Sequence, residues 1–339
     1  MLSLIAMDMK TDERLESLIR WVSGLDGLAS AKPQPASEDA SFRRYFRIWN
    51  GHSYIVMDAP PPQEDCRPFV AIAGYLEKMG LNSARVLEAD LERGFLLLSD
   101  LGSVQYLEEL DKHPERADEL YRNALDALVV MQEKGTGFQG ELPSYDEALL
   151  RIELSLFHDW LCETHLGIEF SAGEEASWRA CCDTLVDCAL SQPKVFVHRD
   201  YHSRNLMVTE TDNPGIIDFQ DAVEGPYTYD VVSLLKDCYV KWPRDVINSR
   251  AHYYFERTPV TQVDSARFQR DFDLMGVQRH LKAAGIFSRL LHRDGKAGYM
   301  KDVPRTLGYI IDVAPGYAEL EFLNELITSR VLPGLEEKK

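Results

Sequence analysis

The sequence predicts an α+β fold in two lobes, a small N-terminal lobe built on an antiparallel sheet and a larger, mainly helical C-terminal lobe. Three observations predict it. Between residues 37 and 98, short apolar runs rich in β-branched and aromatic residues are separated by tight-turn signals such as Asn50-Gly51. Beyond residue 104, apolar residues recur at three- and four-residue spacing over long segments. Within that helical part, residues 195–221 break the pattern with β-type runs that bracket two polar clusters. A chain of 339 residues is long enough for each lobe to bury its own core, and the boundary is expected at residues 102/103.

The elements follow in order. Thr11 is placed to cap a helix whose apolar face is Leu15, Leu18, Ile19, Val22 and Leu25, ending near Gly24. The Ala/Pro-rich residues 29–36 read as an extended connector, and Glu38-Asp39-Ala40-Ser41 as a turn entering the Asn50-Gly51 hairpin. A helix over 66–79 stops at Gly80, and a second hairpin turns at Glu92-Arg93-Gly94. Helices are then expected over 104–110, 114–134, 147–166 and 173–190, with Ser171 as a cap, and over 245–257, 264–292, 300–314 and 316–331. His158 and His165 read as surface or capping residues.

Composition sets limits. Apolar content of 45% and charged content of 27% suit a globular protein, while a net charge of −18 argues against nucleic acid or an anionic membrane as partner. The six cysteines show no zinc-ligand spacing and fall in apolar contexts, as buried thiols in a reducing cytoplasm do. No apolar run approaches the ~20 residues of a membrane span. A cytoplasmic location and no obligate protein partner are the expectations.

The chemistry is concentrated in residues 195–221. His198-Arg199-Asp200 is followed by Asn205 five positions after the Asp, and then by a hydrophobic strand ending in Asp218-Phe219. This set resembles the catalytic residues of the protein-kinase-like phosphotransferases, which implies a bilobal protein-kinase-like fold. Transfer of a γ-phosphoryl group needs a carboxylate at the acceptor hydroxyl and oxygen ligands for magnesium. Asp200 fits the first role, Asn205 and Asp218 the second. Asp230, where a helix begins, is placed either to cap that helix or to hold the loop around His198 by hydrogen bonds.

By the same resemblance, residues 1–102 form a nucleotide-binding lobe and residues 103–339 the catalytic and substrate-binding lobe. The turn at Ala40 and Ser41 lies over the ATP phosphates, with Arg43, Arg44 or Arg47 adding charge. Ser99, Asp100 and Leu101 form the hinge whose backbone meets adenine. Two features depart from the usual kinase pattern. No glycine-rich loop is present, and Met57 stands where a phosphate-pairing Lys is expected, so Glu77 on the following helix has no Lys to pair with.

Only a short link joins Asp218 to Gly225-Pro226, and Gln220 replaces the glycine of Asp-Phe-Gly. A protein kinase carries a long activation segment there, so a small-molecule acceptor fits better. The 198–206 and 217–221 motifs are similar to those of the aminoglycoside phosphotransferase superfamily. They most resemble its bacterial branch of N-acetylmuramate/N-acetylglucosamine kinases of peptidoglycan recycling, as do residues 54–60, 97–102 and 225–230. This resemblance spans roughly residues 12 to 330. It implies ATP, magnesium, a small-molecule sugar substrate and transfer to the anomeric hydroxyl, with His202, Arg204, Gln220 and Asp221 as candidates to meet the sugar. A kinase of another small hydroxyl compound (aminoglycoside, choline or homoserine) uses the same catalytic residues. A nucleotide-binding pseudokinase is the non-enzyme alternative, suggested by Met57 and opposed by the presence of Asp200, Asn205 and Asp218.

Overall fold

A computed structural model of the chain describes residues 12–38 and 42–338. Thr11, Asp39, Ala40 and Ser41 lie outside the described residues, so the expected cap and phosphate-loop turn are not described further. The chain divides into two compact units. One comprises the described part of residues 1–103 with Thr209–Gln220, the other Val104–Val208 with Asp221–Lys339. The first division falls one residue beyond the boundary read from the sequence, and the segment carrying Asp218 groups with the N-terminal unit.

The N-terminal unit starts with α1 (Glu13–Ser23), capped by the Asp12 carboxylate, which accepts the Arg14 and Leu15 N–H groups. Strands β1 (Gln34–Glu38), β2 (Arg44–Asn50), β3 (His52–Asp58), β4 (Val86–Asp90) and β5 (Phe95–Ser99) form one sheet in the order β1-β2-β3-β5-β4. All its pairings are antiparallel. Part of the expected connector is thus the edge strand β1. Gly51, with φ of 75°, makes the β2–β3 turn that a side chain would strain. Alternation along the strands sends Phe46, Ile48, Val56, Phe95 and Leu97 into a core with Leu15, Leu18 and Val22 of α1. Helix α2 (Arg67–Met79) ends at Gly80 in the left-handed conformation, as expected from the sequence.

The C-terminal unit is organised on one long helix. Its helices before residue 194 are α3 (Tyr106–Lys112), α4 (Ala117–Gly135), α5 (Glu147–Leu156) and α6 (Ala172–Leu190). Ser171 and Glu174 close a reciprocal capping box on α6. Helix α5 runs directly into a π-helical stretch, Phe157–Leu166. After strand β6 (Lys194–Val197) and the short strand β7 (Leu206–Met207), the chain passes through β8 (Gly215–Ile216), which groups with the N-terminal unit, and continues in this unit at β9 (Val223–Pro226). Strand β6 pairs antiparallel with β9, from Lys194 opposite Pro226 to Val197 opposite Val223.

Then follow α7 (Tyr229–Leu235), α8 (Arg244–Phe255), the thirty-residue α9 (Ser265–Asp294), α10 (Val303–Val313), α11 (Glu321–Leu326) and α12 (Leu332–Glu337). Helix α9 packs against α5, α6, α7, α10 and the π-helical stretch. A Cβ at Gly285 would stand 2.3 Å from the Leu156 carbonyl carbon, so only glycine allows α9 to cross the α5 end at this distance. Among the described residues no helix is long and apolar enough to cross a membrane. All six cysteines are free; five are buried, and burial pushes the Cys181 thiol up to about 12.

Candidate active site

Strand β6 buries Val195, Phe196 and Val197 and delivers the chain into the loop that holds His198 to Asn205. Beyond the strand the backbone is strained. Among the described residues only three non-glycine residues have positive φ, and two of them, Arg199 at 75° and Asp218 at 62°, belong to the motifs.

The fully buried Asp230 holds the first of these. One of its carboxylate oxygens accepts the His198 N–H at 2.7 Å, the other the Arg199 N–H at 3.0 Å. The residue sits in the first turn of α7, and Thr228, not Asp230, is at the N-cap. Burial pushes the Asp230 carboxyl up to about 7, against the two backbone donors that favour its ionised form. His198 is fully buried as well, and its Nδ1 accepts the Asp200 N–H at 3.2 Å. Farther along, the Asp237 carboxylate takes both the N–H and the hydroxyl of Ser203, at 2.9 and 2.5 Å. Two buried carboxylates therefore pin the loop from behind.

At Asp200, burial works to raise the carboxyl, but Lys282, His202, Arg279 and Arg199 outweigh it and hold its pKa below the ordinary value. The Asn205 side-chain amide donates to the Asp200 carbonyl at 3.0 Å, which fixes which end of that amide is oxygen. In the N-terminal unit, Ile216 is tied to the segment after α2, its N–H donating to the Asn82 carbonyl at 2.7 Å. The ring of Phe219 packs 4.6 Å from that of Phe69. These contacts fix Asp218 between two anchored neighbours, and the Gln220 amide donates to its carboxylate at 2.9 Å. Gln220 is buried and Asp221 exposed.

The residues expected to surround nucleotide are placed as follows. Arg43 pairs with Glu64 at 3.0 Å. Arg44 lies between Asp12 and the fully buried Asp58, which also accepts from Arg14. Arg47 grips Asp100 at 2.6 and 3.1 Å, and Ser53 and the Gly102 N–H complete that carboxylate's shell. Ser99 exchanges hydrogen bonds with the Arg85 backbone, and Leu101 is half-buried. Met57 is fully buried in β3 opposite Leu96, and Glu77 is exposed on α2 with no ion pair among the described residues.

Several residues near the loop escape the sequence reading. Glu153 of α5 is buried and bridges Arg199 at 2.5 Å and Lys282 at 2.9 Å; Tyr145 and Gln278 also donate to it. Lys282 donates to the Tyr229 hydroxyl at 2.9 Å. The available signal was in α9, where Gln278, Arg279, His280 and Lys282 interrupt an apolar stripe. Polar residues on a helix buried on most of its circumference need partners; here Lys282 and Arg279 act on Asp200, while His280 meets the Lys236 carbonyl.

The chain matches the phosphotransferase enzyme family over residues 32–268. It is 49% identical over 337 residues to the N-acetylmuramate/N-acetylglucosamine kinase of Pseudomonas aeruginosa, covering 95% of this chain and 98% of that protein. It is 40% identical to the protein of that name from Neisseria meningitidis, over 87% of this chain and 90% of that one. Among solved structures, a choline/ethanolamine kinase family protein from Mesorhizobium loti aligns with a TM-score of 0.62 at 15% identity, over 96% of this chain and 99% of that one. The AMP-bound complex of a spectinomycin phosphotransferase aligns at 0.62 and 14%, over 87% and 97%. At such identities these two likenesses speak for the bilobal kinase-like fold alone.

Proposed function

The chain belongs to the phosphotransferase enzyme family, and from that premise we propose that it is an ATP-dependent sugar kinase. Its acceptor is the anomeric hydroxyl of N-acetylmuramate and of N-acetylglucosamine, sugars recovered in peptidoglycan recycling. The observation that carries the reading is the Asp200 loop, in which a carboxylate kept ionised by surrounding cations is braced by Asp230 and Asp237. Relatives at 40–49% identity over most of their length bear the name of that activity.

Asp200 orients the anomeric hydroxyl and takes its proton. A carboxylate held below its ordinary pKa is a weak base, but a hemiacetal hydroxyl is more acidic than an ordinary alcohol, so the mismatch is smaller. Arg199, Arg279 and Lys282 offset negative charge around the reacting oxygens. Asn205 and Asp218 supply an amide oxygen and a carboxylate, hard donors that suit magnesium, and the Asn205 amide is already oriented by its bond to the Asp200 carbonyl. Bound magnesium would neutralise phosphate charge during transfer. The rest of the rate enhancement is positioning, for which the braced loop is built.

The cations around Asp200 also weigh against choline and aminoglycosides, which bring positive charge to the same place. The pseudokinase alternative is weakened by a catalytic loop whose supports are all present. The test is a panel of N-acetylmuramate, N-acetylglucosamine, choline, homoserine and an aminoglycoside in one magnesium-ATP consumption assay. The two sugars should be consumed well ahead of the others; a cationic acceptor turned over faster than either sugar overturns the proposal.

A further inference from the structure

Beside the catalytic loop, within the C-terminal unit, lies a cleft of about 580 Å³. Arg204, Tyr239, Tyr299, Lys301, Asp302 and Arg305 contribute its walls. Three cations and one carboxylate therefore meet in a single cleft of a chain whose net charge is −18.

The charges in it are not equally compensated. Asp302 accepts from Arg305 at 2.8 Å, and the same guanidinium nitrogen donates to the Cys238 and Tyr239 carbonyls at 2.9 and 3.0 Å. That pair is closed and acts as a strut for the floor. Arg204 makes no ion pair with a carboxylate among the described residues. Its guanidinium lies instead 4.5 Å from the centre of the Tyr239 ring and 5.6 Å from that of Tyr299. Lys301 is exposed at the rim, with neither a hydrogen bond nor an ion pair among the described residues. Two positive charges are left to face the cleft, one of them a planar fork held between aromatic rings. Such a fork matches the geometry of a carboxylate, and the rings offer apolar surface to whatever carries it.

Arg204 is also the fourth residue after Asp200 in one loop, so a group bound here is registered to the reacting carboxylate by a short, braced piece of chain. We infer that this cleft is a carboxylate subsite of the acceptor site. It takes the lactyl ether acid that N-acetylmuramate carries and N-acetylglucosamine lacks, and so sets the preference between the two. The inference rests on the sugar-kinase reading above.

Initial rates with magnesium-ATP on both sugars test it, for the wild type, Lys301→Met and Lys301→Glu. The ratio of kcat/KM for N-acetylmuramate over N-acetylglucosamine should fall roughly tenfold in Lys301→Met and further in Lys301→Glu, through KM with kcat little changed. The methyl ester of N-acetylmuramate, given to the wild type, should lose the same advantage from the ligand side. An unchanged ratio in both variants, or an ester used as well as the acid, overturns the subsite while leaving the sugar-kinase reading intact. A wild type that turns over neither sugar overturns that reading and the subsite with it.

Discussion

Arginines around Asp58 and Asp100 in the N-terminal unit and around Asp200 in the C-terminal unit are used in opposite ways. In the N-terminal unit Arg14 and Arg44 close on Asp58, and Arg47 closes on Asp100, each cation matched by a carboxylate of the same unit. In the C-terminal unit Arg199 and Lys282 share the single carboxylate of Glu153, while Arg279 makes no ion pair among the described residues. The excess positive charge there acts on Asp200. Breaking a matched buried pair costs stability, whereas an unmatched set of cations sets the electrostatics of a neighbouring carboxylate. The contrast tells arginines closed on carboxylates from those that bear on Asp200, which their positions in the sequence do not.

The largest effect should come from removing the group that the unmatched cations surround. Asp200→Asn is expected to lower kcat by about two to four powers of ten, the range of a lost general base, in steady-state assays with either sugar. A variant with unchanged turnover would mean that the C-terminal cations serve only the fold.

Next is the brace. Asp230→Asn removes one of two acceptors for the strained His198–Arg199 backbone, at a cost of about 1–3 kcal/mol, and should lower kcat roughly tenfold by loosening the loop. The pH dependence has a definite sign. Burial pushes this carboxyl from 3.8 up to about 7, so between those values the folded protein holds a proton that the unfolded chain has released. Its contribution to stability therefore falls as pH rises from about 4 to about 7 and is flat above. Thermal melts across that range should show the Tm difference between wild type and Asp230→Asn shrinking with pH and then levelling. A difference that does not change with pH would show that the group does not titrate there.

The smallest effects lie in the N-terminal unit. Arg44→Gln should cost about 2 kcal/mol, less than the 3–5 of a buried pair that loses its sole partner, because Arg14 still reaches Asp58. Its KM for ATP should follow the wild type's. Arg43 is another of the three arginines expected to add charge at the phosphates, and Arg43→Gln should instead raise KM for ATP several-fold. Should both variants change only the melting temperature, the nucleotide phosphates are held by neither arginine.

How much was legible in the sequence follows from the same contrast. His198, Asp200 and Asn205 stood out because phosphoryl transfer demands those residue types at that spacing, and β6 and α7 hold the loop they occupy, while Asp218 lies beyond β8 in the other unit. The hairpins at Gly51 and Gly94 and the helix stop at Gly80 were readable because φ there is positive, which glycine adopts without strain. Glu153, Arg279 and Lys282 were not, because helical periodicity reports which face is apolar and is silent on which buried charges meet across helices far apart in sequence. Strand β1 was missed for a local reason: Gln34-Pro35-Ala36-Ser37 has poor strand propensity and is held as an edge by pairing with β2. The pairing of β6 with β9 joins residues about thirty apart, a register that no turn signal announces.

The central claim is phosphoryl transfer to the anomeric oxygen by a loop organised around Asp200. Its most direct test is the phosphorus NMR spectrum of the product formed from N-acetylmuramate and magnesium-ATP. The account predicts a sugar phosphate whose phosphorus couples to the anomeric proton, with loss of the reducing end in step with ATP consumption and no such signal from Asp200→Asn. A phosphate coupled to the protons at carbon 6, with the reducing end intact, would contradict it.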